Sequence, residues 1–134
     1  MSRHIPESVR RFVATRAEFK CEYCRLPQEI GGFSFEIDHI ISLKHGGDSK
    51  HENLAYCCPI CNGYKGSDVG SYVEGQLVRF FNPRTDNWFA HFTIENGWIK
   101  GLTPIGEATV GIFGFNQIED VVQRQKLASI GMYP

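Results

Sequence analysis

Apolar positions near the start of the chain recur at helical spacing and then give way to short β-branched runs. In IPESVRRFVATRAEF, Val9, Phe12, Val13 and Arg16 fall on one helical face and Pro6 suits a first turn, so the pattern predicts a helix from about Pro6 to Phe19. A CEYC tetrapeptide follows, then a polar loop through Gly31 and Gly32. FSFEIDHII is aromatic and β-branched enough for a strand, KHGGDSKHEN is polar and glycine-rich as loops are, and NLAYCC predicts a second short strand. Pro59 opens a helix through Cys61, Asn62 and Lys65, which Gly66 ends.

Past Ser67 the chain turns glycine-rich and aromatic. QLVRFF predicts a strand and NPRTDN a turn. In WFAHFTI, Trp88, Ala90, Phe92 and Ile94 alternate with Phe89, His91, Thr93 and Glu95, the period of a half-buried strand. Asn96-Gly97 is a strong hairpin signal, with WIKGL as the return strand. Thr103-Pro104 predicts an N-cap and first helical residue, with Ile105, Ala108, Ile112 and Phe115 on one face. Asn116 and Glu119 form a capping-box pattern for a last helix to about Ile130. No repeat or long polar linker divides the chain. The expectation is an α+β protein with residues 1–67 and 68–134 as two parts of one compact unit, joined at a seam from Gly66 to Gly75.

Composition narrows the classes. No run approaches the roughly 18 apolar residues that cross a bilayer, and the N-terminus lacks a secretory pattern, so the expectation is a soluble, cytoplasmic protein without a membrane partner. The formal net charge is −1, which argues against strong non-specific hold on a duplex, since counterion release supplies most of such affinity. A local basic patch remains: Arg3, Arg10, Arg11, Arg16, Lys20 and Arg25 face only Glu7, Glu18 and Glu22 in the same segment.

The five cysteines sharpen this. Cys21-x-x-Cys24 and Cys58-x-x-Cys61 are two knuckles of the kind that complete a thiolate tetrahedron about structural Zn²⁺, and such a closed site staples a fold without doing chemistry. Cys57 breaks the spacing and reads as a small buried hydrophobe. The staple would bring the strand bearing Asp38 and His39 close to the helix bearing Asn62.

At this point the residues resemble a family. EIDHIISLKHGGDSKHENLAYCCPICNGYKG is similar to the HNH endonuclease motif in its four-cysteine form: the Asp-His pair, the Gly-Gly loop, the Asn-Leu, and the C-x-x-C-Asn run ending in Lys-Gly. The resemblance covers about Cys21 to Gly66. It implies a ββα-metal core holding one divalent ion, with DNA as the partner; the pattern read above adds an N-terminal helix and a C-terminal β-hairpin with helices. By position, His39 would be the general base and Asn53 the residue that steadies the loop carrying it. Asp38 and Asn62 would be the ligands of the catalytic metal. Asn62 stands where the family's last His would be, and two oxygen donors suit Mg²⁺ or Mn²⁺. Neighbouring strand residues point to opposite faces, so Asp38 and His39 serve one site only if the strand ends or bulges there.

Lys65, one turn beyond Asn62, is a candidate phosphate contact or a plain solvated lysine. His45 and His51 read as solvated loop residues and His91 as packed or edge-exposed. Trp88, Phe89, Phe92 and Trp98 read as core before base-stacking platforms. The reading from a different class is a non-catalytic zinc module that binds nucleic acid or a partner protein. Such a module would need the four cysteines but not Asp38, His39 and Asn62.

Overall fold

The computed structural model describes residues 4–31 and 34–134. Arg3, Gly32 and Phe33 of the expectations above lie outside the described residues. The first helix, α1 (Glu7–Arg16), follows Pro6 and carries Glu7 in its first turn and Arg16 in its last, each charge matched to its end of the helix dipole. It is shorter than expected, because Glu18 and Phe19 take positive φ. Val13 and Ala14 face inward. Phe12 does not: its ring lies 5.0 Å from His51, with the Arg16 guanidinium 5.2 Å above it. After the CEYC turn comes a single helical turn, α2 (Gln28–Gly31), which the sequence pattern did not signal.

Strands β1 (Glu36–His39) and β2 (Leu54–Cys57) pair antiparallel, with Asp38 opposite Ala55 and His39 opposite Leu54. Every residue of β2 is buried, which is why LAYC lacks alternation. The loop between them holds two 3₁₀ turns, Leu43–His45 and His51–Asn53. Helix α3 (Pro59–Lys65) starts with Cys58 as its cap, the sulfur accepting from the Cys61 N–H. The result is a ββα unit.

The remaining half differs from expectation at three places. A strand β3 (Gly70–Val73) precedes the expected one, β4 (Gln76–Arg79), and the two form a hairpin. The alternating WFAHFTI run is divided: Trp88–His91 is a helical turn, α4, capped by the Asn87 side chain, and only Phe92–Glu95 is strand, β5. Consequently Trp88 and Phe92 are buried, whereas Phe89 and Trp98 stand exposed. The hairpin to β6 (Trp98–Gly101) is as expected, with positive φ at both Asn96 and Gly97, the conformation a two-residue I′ turn needs. Thr103 caps α5 (Pro104–Phe113) by accepting from the Gly106 N–H. The capping box at Asn116 is absent: α6 (Ile118–Ser129) begins at Gln117 without a side-chain cap. Asn116 instead binds the N–H and C=O of Ile99 at 3.0 and 2.8 Å.

One apolar cluster runs through both halves, from Val13, Tyr23 and Leu54 to Phe92, Phe113 and Leu127. Among the described residues no helix is long and apolar enough to cross a membrane.

Candidate metal centre and active-site residues

Cys21, Cys24, Cys58 and Cys61 are buried and their sulfurs all lie within 4.8 Å of one another. The Sγ atoms of Cys24 and Cys58 are 3.8 Å apart. A zinc tetrahedron with bonds of about 2.3 Å has edges of about 3.8 Å, so the spacing fits the ion. The backbone is arranged for thiolates as well: the Cys24 N–H points at Cys21 Sγ and the Cys61 N–H at Cys58 Sγ, at 3.5 and 3.4 Å. Burial opposes charge on Cys21, yet hydrogen bonds from Cys24, Cys57, Cys58 and Cys61 outweigh it and hold that thiol well below its ordinary value. The Cys24 and Cys61 thiols are held high, Cys24 first by its hydrogen bond with Cys21 and Cys61 first by burial. A dication would relieve that crowding by stabilising all four thiolates. Cys57 is fully buried in the apolar cluster.

The first knuckle is tied to its surroundings residue by residue. Glu22 pairs with Tyr56 through both backbone and carboxylate, at 2.9 and 2.8 Å, and forms an ion pair with Arg84. The Tyr23 carbonyl accepts from Trp88 Nε1 at 2.8 Å, and the Cys24 carbonyl from the Tyr133 hydroxyl at 2.7 Å.

In β1 Asp38 is buried, and His39, the last residue of the strand, is half-buried. The Asp38 carboxylate is 5% exposed and doubly engaged: Tyr23 donates its hydroxyl to Oδ2 at 2.7 Å, and Lys65 donates from Nζ to Oδ1 at 3.2 Å. Burial pushes the carboxyl above its ordinary range, against the pull of the Lys65 ammonium and the Tyr23 hydrogen bond. Burial, and then the Asp38 charge, push the Tyr23 phenol well up, which keeps it a donor.

Lys65 is 2% exposed and donates also to the His39 carbonyl at 3.0 Å. The surface ammonium weighed as a phosphate contact is therefore an internal one in this arrangement. The sequence held the signal: Lys65 is four residues from Cys61, so the two share the inward face of α3. Tyr23 sits inside the cysteine knuckle, and no spacing or motif letter marks it as a partner of Asp38.

His39 ends β1 and is half-buried, with Nε2 3.0 Å from Ser49 Oγ, a partner no motif indicated. It borders a surface depression lined also by Ser42, Leu43, Lys44, Gly66 and Ser67. Asn53 straps the loop between them: its Oδ1 accepts from the Ile41 N–H at 2.9 Å, and its Nδ2 donates to the carbonyls of Ile41 and Asp48 at 2.9 and 2.8 Å. The strap depends on Gly47, where an added Cβ would meet the Ile41 oxygen at 1.7 Å and Asn53 Nδ2 at 2.8 Å. Asn62 is half-buried on α3 beside Cys61.

Among the described residues the four thiols are the one group of three or more His, Cys, Asp or Glu side chains placed to share an ion. Asp38 and Asn62 offer oxygen donors, the type a hard divalent cation takes, but both Asp38 oxygens are engaged, by Tyr23 and by Lys65. Fit at Asp38 requires the Lys65 ammonium to yield Oδ1. His45 and His51 are exposed, His51 beside Glu52 at 2.8 Å. His91 is half-buried with Nδ1 2.6 Å from Thr103 Oγ1.

No curated protein and no solved structure matches the chain. The family model described as HNH endonuclease matches residues 21–68, the segment that runs from the first knuckle through β1, the strapped loop and β2 to just past the end of α3. Residues 21–68 are thus an HNH endonuclease domain built round a buried four-cysteine cluster.

Proposed function

We propose that the chain is a metal-dependent DNA endonuclease in which His39 is the general base. The observation that supports this most is the setting of His39: a half-buried imidazole at a strand end, beside a depression and leading into a loop strapped by Asn53. In this reading a phosphodiester lies in the depression with Lys44 at its rim, and the neutral imidazole takes a proton from water as that water attacks phosphorus. The bond to the departing 3′ oxygen breaks in line. Ser49, at 3.0 Å from Nε2, orients the ring. Mg²⁺ or Mn²⁺ held by Asp38 and Asn62 would supply stabilisation of the charge that builds on phosphate and leaving oxygen. The zinc cluster fixes the scaffold and takes no part in the chemistry.

The closed ion pair of Asp38 and Lys65 favours a second reading, a non-catalytic zinc module that binds nucleic acid or a partner protein. One experiment separates the two. With Mg²⁺ or Mn²⁺, supercoiled plasmid should be nicked or cut, EDTA should stop it, and His39→Ala should lower the rate by about 10²–10⁴-fold while zinc content and melting stay as in the parent. A His39→Ala protein that cuts as well as the parent removes His39 from the base role. No cutting with any divalent ion, together with a gel shift of the same DNA, establishes the binding module.

A further inference from the structure

We propose that the groove between the end of α1, the first cysteine knuckle and the turn before α4 is a nucleic-acid phosphate site, with Arg25 as its principal contact. This rests on the reading of DNA as the partner and is the same whether the chain cuts DNA or only binds it. The groove is lined by Arg16, Lys20 and Arg25 and by the carboxylates of Glu18, Glu22 and Asp86. Two of those carboxylates are already matched, Glu22 by Arg84 and Asp86 by Arg79. With these partners counted, five cations face three carboxylates, and the surplus lies on Arg16, Lys20 and Arg25. In a chain of formal net charge −1, attraction for a polyanion has to come from such a local surplus.

Arg25 is the member without an anionic partner. Its guanidinium stands 5.5 Å from the Trp88 ring centroid and 5.3 Å from that of Phe89, close enough for cation–π attraction. Trp88 is anchored in turn by its hydrogen bond to the Tyr23 carbonyl, so the guanidinium rests on a fixed platform. Among the described residues its Nε is buried with no hydrogen-bond partner, and no carboxylate is paired with it. A permanent cation held part-buried in this way is stabilised by an anion, and its planar fork matches two phosphate oxygens. Arg25 also takes φ 69°, a left-handed conformation that favours glycine, so the turn itself gains nothing from an arginine there. The groove borders the strand pair that carries His39: Arg16 and Arg84 both donate to the Leu54 carbonyl, at 2.7 and 3.2 Å, and Leu54 is the β2 residue opposite His39.

The test measures binding of a short fluorescent DNA duplex to the zinc-loaded full chain by anisotropy across a range of salt concentrations, without added divalent cation so that the DNA stays whole. Each phosphate contact contributes about −0.9 to the slope of log affinity against log salt. Arg25→Met, which keeps the stem packed on the two rings, should bind more weakly and with a slope shallower by about 1, and adding Lys20→Gln should take off about 1 more. Zinc content and melting, recorded alongside, should match the parent. Should Arg25→Met fold poorly, Arg25→Gly, which suits the positive φ, gives the same readout. Parent-like affinity and slope in a zinc-replete Arg25 variant overturn the proposal, and plasmid cutting by the parent then leaves the nuclease reading standing. An equal loss on Lys126→Gln, at an exposed position of α6, would show a diffuse charge effect and overturn it as well. A parent that does not hold the duplex at low salt overturns the site, and if it also fails to cut plasmid the nuclease reading falls with it.

Discussion

Lys65 Nζ lies 3.2 Å from Asp38 Oδ1, with both side chains almost fully buried. Removing one member of such a pair leaves an uncompensated internal charge, at a cost of about 3–5 kcal/mol. Lys65→Met should therefore lower stability to chemical denaturation by that order in the absence of divalent cations. Adding Asp38→Asn to it should recover much of the loss, because the remaining amide carries no charge. A single variant as stable as the parent would show the pair to be broken in solution.

The sulfur cluster and the odd cysteine should separate cleanly. Cys61→Ser is expected to lose zinc and cooperative melting together, since the energy of a structural zinc site is folding energy. Cys57→Ala should keep one zinc per chain and cost about 1 kcal/mol, the ordinary price of a small change in a core. Metal analysis with thermal melting checks both.

The strap on the loop offers a sharper probe. Asn53→Ala removes an acceptor for the Ile41 N–H, so that amide should lose hydrogen-exchange protection while zinc content is unchanged. Gly47→Ala should do the same from the other side, because its Cβ cannot coexist with the Ile41 oxygen. Both should slow plasmid nicking by ten-fold or more, about the scale expected when a positioned base is displaced.

Asp86 carries an acid-dependent part of stability. The Arg79 hydrogen bonds come first, with the Asn82 N–H and the charges of Arg79 and His91 adding, and together they hold its carboxyl below the ordinary range despite partial burial. Between the folded and unfolded values the unfolded chain binds more protons, so stability rises with pH there. The contribution is complete above about pH 4, the unfolded carboxyl value, and is lost as pH falls through the lower folded one. Asp86→Asn should thus flatten the acid limb of the melting-temperature profile and leave the shape above pH 5 unchanged.

Local patterns were reliable where the deciding contacts were local. Pro59 and Gly66 bounded α3, Asn96-Gly97 made its hairpin, and Thr103 capped α5, because caps and tight turns are settled within a few residues. The cysteine spacing gave the four buried sulfurs for the same reason. The failures came from distant partners. Asn116 had the letters of a cap but binds Ile99 on β6 instead. WFAHFTI alternates like a strand, yet Asn87 caps a turn there while Trp88 reaches across to Tyr23. Of the candidate site, the motif letters pointed to Asp38, His39, Asn53 and Asn62, but not to Ser49 and Tyr23, whose hydrogen bonds to His39 and Asp38 exist only once β1, the loop and the knuckle are folded together. Lys65 lies one turn after Cys61 and shares its inward face of α3, which the spacing from Asn62 alone does not reveal.

Tyr133 and Trp88 close on the carbonyls of Cys24 and Tyr23 from 109 and 65 residues further along the chain. Excised as a portable cassette and grafted elsewhere, the motif would surrender those two acceptors to water and forfeit the side chains that shape its first turn. Transplants should accordingly succeed only when the sequence through Tyr133 travels along, making motif and tail a single heritable part.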